Sequence, residues 1–262
     1  MLRTWHGWAS CSPDMTTNQI TLPFNSAGTI ACYGAGVDST AMLIEMQRQG
    51  IRPDVITFAD TGGEKPETIE YLDTMNEWLA ARDFPSITVC KLSTLDSTPY
   101  DDLEGNNVAN ETLPSIAFGM KGCSVKWKQK PQDYAIMGVT KGPNQRPPHP
   151  LWIEAKETGK KITKVIGFDS SKADLRRKNS FTKEDANFRY SFPLQQLGWT
   201  RKECIQNILQ AGLPVPIKSA CWFCPASQKW ELWWLAGTHP KLFMRALHME
   251  MKAMLGRHSR WG

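Results

Sequence analysis

The chain has 262 residues, a formal net charge of +5, 41% hydrophobic residues, 22% charged and 10% aromatic. That supports one large domain, or one with a small appendage, around a sizeable core, and it excludes a disordered or fibrous protein. No run approaches the roughly 18–20 uninterrupted apolar residues of a membrane span, because the most aromatic stretch, 230–236, is broken by Glu231; no membrane partner is expected.

Residues 1–26 read as a poorly ordered leader without the apolar segment of an export signal, so the expected location is cytoplasmic. Three short runs, 29–33, 54–58 and 86–90, are rich in β-branched and aromatic residues and read as buried strands. A helix over 38–49, stopping at Gly50, and one over 65–81, opening with Pro66 and Glu67, separate them. Alternation of strand and helix predicts an α/β fold with a parallel sheet, whose ligands gather beyond the carboxyl ends of the strands. Residues 93–160 read as a long irregular stretch with Pro143, Pro147, Pro148 and Pro150, and 162–167 as a further strand. From about 199 the texture is helical. Thr200 and Glu203 form a capping-box pattern before a helix ending at Gly212, and further helices are expected over 227–236 and 240–255. Residues 141–183 hold eleven Lys and Arg against four acids, a net of +7, which suits either a solvated face or an anion-binding one.

The strongest local signal is the turn Tyr33-Gly-Ala-Gly-Val-Asp-Ser-Thr40 between the first strand and the first helix. Small residues let backbone N–H groups converge on an anion, and the helix N-terminus adds partial positive charge. Its spacing is neither that of a dinucleotide fingerprint nor of a Walker loop. A tight turn with a good cap is the plain alternative.

This turn resembles the S-G-G-x-D-S pyrophosphate loop of the PP-loop ATP pyrophosphatases, and later segments resemble the phosphoadenosine phosphosulfate (PAPS) reductase branch of that superfamily. Thr57-Phe-Ala-Asp-Thr-Gly62 with Pro66-Glu-Thr68 is similar to its D-T-G…P-E-T segment, Gly167 onward to G-I-R-x-D-E-S, and Phe192-Pro-Leu194 with Gly198-Trp-Thr200 to Y-P-L…W. The resemblance, over about 27–250, implies an adenine nucleotide alpha hydrolase-like fold with a mainly parallel five-stranded sheet flanked by helices. Residues 27–198 would form the nucleotide domain and 199–262 a helical region carrying a cysteine knuckle. It implies a nucleotide site of Gly34, Ala35, Gly36, Val37, Asp38, Ser39, Thr40, Asp60, Thr61, Gly62 and Arg176, with Asp38 and Ser39 in the catalytic role. ATP or a related adenine nucleotide, with Mg²⁺, would be cleaved between its α and β phosphates to adenylate an acceptor. The chain departs from the pattern at Gly34, Ala35 and Asp169, which replace Ser, Gly and Arg, and it lacks the C-terminal E-C-G-L-H motif of the sulfonucleotide reductases.

Seven cysteines at irregular spacing in a chain with its own core point to metal or redox chemistry rather than a disulfide framework. Cys221 and Cys224 form a C-x-x-C, which suits a metal or, as rival, a redox dithiol. The resemblance adds Cys123 as a third ligand, leaving one position open on an iron–sulfur cluster or closed around zinc by a fourth ligand, for which His239 is the candidate. Three thiolates make sulfur transfer to a nucleic acid, with a sulfur-donor protein as partner, the expected second step. A sulfonucleotide reductase and a non-catalytic nucleotide- or nucleic-acid-binding module with structural zinc are the alternatives.

Overall fold

The computed structural model describes residues 19–114, 122–181 and 185–261. Strands β1 (Ser26–Tyr33), β2 (Val55–Asp60), β3 (Ile87–Lys91), β4 (Lys161–Ile166) and β5 (Phe188–Ser191) form one sheet in the order β3-β2-β1-β4-β5. Every pairing is parallel, so the expected α/β class holds and the sheet is parallel throughout rather than mainly. The chain winds outward from β1 through β2 and β3, then returns to the other side of β1. The crevice at the carboxyl ends of β1 and β4 is therefore the topological switch point, where such sheets hold ligands.

Both faces of the sheet are covered, and the two-residue period of the strands decides which side chain faces which layer. On one face Ala31, Tyr33, Ile56, Phe58 and Val165 pack with Met42, Leu43 and Met46 of α1 (Val37–Arg48), Met75 and Leu79 of α2 (Pro66–Ala80), and Ile208. On the other, Ile30, Val55, Ile162 and Phe188 meet Ile136, Leu151 and Ala155.

The stretch expected to be irregular contains α3 (Leu103–Ala109), a π-helical turn (Ser124–Gln129), α4 (Lys130–Met137) and α5 (Pro150–Thr158). Proline reads as a breaker, but in the first turn of a helix its missing N–H has no intrahelical partner to lose, and Pro131 and Pro150 occupy that place in α4 and α5. Strand β5 and helices α6 (Lys172–Lys178) and α7 (Pro193–Gln196) are too short for periodicity to reveal.

Packing runs across both expected boundaries. Residues 1–18 of the expected leader lie outside the described residues, whereas Ile20 is buried in the main core and its amide donates to Gln49 Oε1 at 2.7 Å. The packed structure thus begins before residue 27. Helix α8 (Arg201–Gln210) lies on α1, with Cys204 and Ile208 in the main core and Asn207 Nδ2 donating to Glu45 Oε2 at 3.1 Å. It is a layer of the sheet domain. The separate part is α9 (Lys229–Thr238) and α10 (Pro240–Trp261), which enclose a second core of Trp127, Cys221, Trp222, Phe223, Leu235 and Met249, together with Leu92 and Leu103.

Candidate functional site

The β1–α1 turn has the geometry of an anion cradle. Ala35 is fully buried with φ 51°, a left-handed conformation disfavoured for a residue with a β-carbon, and Gly36 follows as an extended N-cap. That alternation turns two amides toward one point. The N–H groups of Gly34 and Gly36 both donate to Ser39 Oγ, at 3.1 and 3.4 Å, while Ser39 Oγ donates to the Gly36 carbonyl at 3.1 Å. A hydroxyl oxygen thus stands where an anion oxygen would be received. The first-turn amides of Val37, Asp38 and Ser39 have no intrahelical partner and carry the positive end of the helix dipole.

Not every residue of the turn faces outward. Val37 is buried, and the Thr40 hydroxyl lies in the core against Tyr33 OH at 3.2 Å. Asp38 Oδ2 accepts from Arg201 NH1 at 2.8 Å, and its Oδ1 is buried without a partner. Burial pushes the Asp38 carboxyl above its ordinary range; Arg201 pulls it down, and Asp169 and Asp174 push it further up. Gly167, at the end of β4, is where the resemblance to G-I-R begins, and its reason is steric. A β-carbon there would stand 2.7 Å from Ser39 Cα and 2.8 Å from Ser39 N.

The segment ending β2 is a junction. Asp60 Oδ1 accepts from the Gly62 amide at 2.8 Å, and Thr61 donates through its amide and hydroxyl to the Glu64 carboxylate at 2.9 and 2.8 Å. Gly62 takes φ 75° with Asp102 against it. The Thr61 carbonyl accepts from the Leu103 amide and the Gly63 carbonyl from the Trp222 amide, both at 3.0 Å. The C-x-x-C segment is therefore docked on this turn, with Cys221 Sγ 3.5 Å from Thr61 Oγ1. Ser219 reaches the β1–α1 turn itself: a β-carbon on Gly36 would lie 2.6 Å from its Oγ.

A cavity of about 200 Å³ opens between the carboxyl ends of the strands and the π-helical turn with α4. Gly34, Ser219, Glu64 and Lys128 line it beside the loop, and Phe58, Phe168, Phe181 and Tyr190 supply aromatic walls. Further in, Cys32, Gln132, Asp133 and Lys164 line it; Lys164 is buried, paired with Asp133 and set 3.7 Å above the Phe188 ring. Thr57 Oγ1 donates to Gln132 Oε1 at 2.6 Å. Burial pushes Glu64 up despite the cation of Lys128.

Among the predicted nucleotide residues, Gly34 lines this cavity. Asp60, Thr61 and Gly62 do not line it; they form the junction between Ala59 and Glu64, which do. Arg176 is exposed and does not line it, whereas Arg177 does, its guanidinium 4.3 Å over Phe168 and paired with Asp174 at 2.8 Å. Asp169 is buried and accepts from the Ser171 amide at 2.9 Å, so it shapes the turn before α6. Sequence reasoning names Arg177 as a residue beside Arg176 that could neutralise phosphate charge, but it missed Cys32, Glu64, Lys128, Gln132, Asp133, Lys164 and Tyr190. Only Lys164 left a signal, a lysine inside the apolar run Ile162-Thr-Lys-Val-Ile166.

Cys123, Cys221 and Cys224 all belong to the second core, yet among the described residues no three His, Cys, Asp or Glu side chains come together as a metal-holding group. His239 lies between α9 and α10. Its Nε2 contacts Glu67 Oε1 at 2.7 Å and its ring meets Trp234 edge-on. The arrangement does not fit a four-ligand cluster or zinc site. Burial pushes the Cys221 thiol up to about 11, with Lys128 pulling the other way, and a buried protonated thiol also lacks the low pKa of a reactive dithiol. Among the described residues no helix is long and apolar enough to cross a membrane.

No family model matches the chain, and no curated protein matches it. Among solved structures, the U34-tRNA thiolase NcsA from Methanococcus maripaludis with its [4Fe-4S] cluster is similar at 12% sequence identity and a TM-score of 0.43, over 89% of this chain and 74% of that chain.

Proposed function

We propose that the chain is a PP-loop nucleotide enzyme, of the PAPS reductase-like kind its motifs resemble, that binds ATP or a related adenine nucleotide at the carboxyl edge of the sheet and cleaves it between the α and β phosphates. The observation that carries this reading is the convergence of the Gly34 and Gly36 amides on one oxygen at the head of α1, with a cavity beginning at Gly34. About 200 Å³ is less than the roughly 300–1,000 Å³ of a site that encloses a whole small molecule. It suits one part of a nucleotide while the phosphates lie over the turn.

In the reaction an acceptor heteroatom forms a bond to the α-phosphorus, the bond from that phosphorus to the bridging oxygen breaks, and pyrophosphate leaves as the acceptor loses its proton. The protein's contribution is positional and electrostatic. Loop amides and the helix dipole receive the growing charge of the departing pyrophosphate, and the Ser39 hydroxyl turns away from those amides as the phosphate takes its place. Mg²⁺ is bound through one or two carboxylates and the phosphates rather than a protein cage, so it would arrive with the nucleotide. No step is assigned to the cysteines as metal ligands, because they do not gather into a site. For the acceptor we favour a nucleic acid, on the basic excess of residues 141–183, whose α6 puts Arg177 on the cavity wall. The second step we favour is sulfur transfer, in which a sulfide-level sulfur from a donor protein bonds to the activated carbon of the acceptor as that carbon's bond to the AMP oxygen breaks and AMP leaves.

The test is product analysis with labelled ATP, alone and with bulk RNA or DNA. AMP and pyrophosphate support the reading; ADP and phosphate overturn it, as does an amide spectrum in which residues 34–40 do not move on adding ATP.

A further inference from the structure

The carboxylate of Asp38 sits in the first turn of α1, within the segment proposed to receive a polyphosphate, where a second negative charge repels the ligand. Three carboxylates meet there. Asp169 and Asp174, from the segment after β4, are buried 6% and 9% exposed and both act on Asp38. Asp174 is held by Arg177 at 2.8 Å and Asp169 by the Ser171 amide. From α8, Arg201 donates from NH1 to Oδ2 at 2.8 Å, and the Cys204 thiol lies within electrostatic range of Asp38. Oδ1 is buried with no partner among the described residues, so among them that one contact with Arg201 carries the compensation for the whole group.

We propose that Arg201 is the counter-ion that lets a carboxylate stand in a polyphosphate-receiving turn, and that it thereby sets the nucleotide affinity of this site and its pH dependence. The inference rests on the nucleotide reading of the turn and goes beyond it by adding a residue from α8, outside every motif that suggested that reading. Arg201 reaches across from another helix and does not itself line the cavity, so it is a positioning residue. Without it, the Asp38 carboxylate in the first turn of α1 is left uncompensated, and its repulsion of a polyphosphate on that turn disappears only when Asp38 takes up a proton or is made neutral.

The test measures binding of α,β-methylene-ATP, which cannot be cleaved at the bond in question, to the full chain at pH 8 and pH 6. For Arg201→Gln we expect at least a tenfold weaker binding at pH 8, recovering toward wild type at pH 6. Arg201→Lys should stay within about threefold, and Arg201→Gln/Asp38→Asn should regain most of the loss at both pH values. A lost fold would weaken binding at both pH values and would not be rescued by the second substitution. Wild-type affinity in Arg201→Gln, or a double variant as weak as the single one, overturns the inference. Carboxyl carbon NMR of Asp38 without nucleotide separates the two levels: a titration midpoint unchanged by Arg201→Gln sinks the ion-pair inference alone, whereas wild-type protein that binds no nucleotide sinks the parent reading and this one with it.

Discussion

The layer around the β1–α1 turn and the layer around the C-x-x-C are built to different standards. In the first, Tyr33, Ala35, Val37, Met42 and Leu43 are all at most 2% exposed, and the turn's strain at Ala35 is imposed by packing on every side. In the second, α9 and α10 bury Leu235 and Met249 on one side. Trp233 is 79% exposed, and Met244, Met254 and Leu255 are each more than 60% exposed. A strained cradle needs a rigid surround, because a left-handed non-glycine residue costs about 1–2 kcal/mol and relaxes wherever it can. A layer with one thin core and an outer apolar face holds its cysteines less tightly, and its three thiols share a neighbourhood without forming a ligand set.

Four changes break or sharpen that contrast. The largest effect is expected from Ala35→Val: a β-branched residue with positive φ in a filled core should cost about 3 kcal/mol or more of stability by chemical denaturation and abolish nucleotide binding. A marginal loss there would mean the surround is not rigid. Gly167→Ala comes next, at about 2 kcal/mol, since its new methyl meets the backbone of Ser39 and α1 must shift. In the second layer, Cys221→Ser should cost only about 1 kcal/mol, and chelator treatment should leave the melting temperature unchanged; a fall of many degrees on chelation would show that a metal assembles the cysteines after all. Smallest of all, Met254→Gln should stay within about 0.5 kcal/mol while improving solubility.

The pH dependence belongs to the first layer. Asp38 and Glu64 both have folded carboxyl groups raised above their unfolded values, chiefly by burial. A folded state that holds a proton more tightly than the unfolded one is favoured at low pH. Their contribution is therefore fully present below the unfolded carboxyl range and is lost as pH climbs through the raised folded values. Urea titrations at pH 5 and pH 8 should show wild type losing stability across that interval, and Asp38→Asn losing less. The same loss in both variants would place the titration elsewhere.

Much of the first layer was legible because its signals are local. The strands at 29–33, 54–58 and 86–90, the stop at Gly50 and the Thr200–Glu203 box depend on neighbours two to four residues apart, and all appear in the structure. The cavity was not legible, because its walls come from β1, β2, β4, β5, α4 and α6, and nothing in the sequence near Gln132 or Asp133 announces that Thr57 and Lys164 will meet them. Arg176 and Arg177 differ by one position on a helix, a rotation of about 100°, and only packing against Phe168 selects the second.

By itself the sequence determined the alternation of strand and helix, hence a parallel sheet, and it determined that a small-residue turn stands at the carboxyl end of the first strand. Periodicity and turn chemistry are short-range, and a single chain states them plainly. Which oxygen the turn's amides meet, which arginine balances Asp38, and whether three distant cysteines converge were decided only by the tertiary structure. Each depends on the distance between groups far apart along the chain, and that distance is fixed by how the helices pack on the sheet.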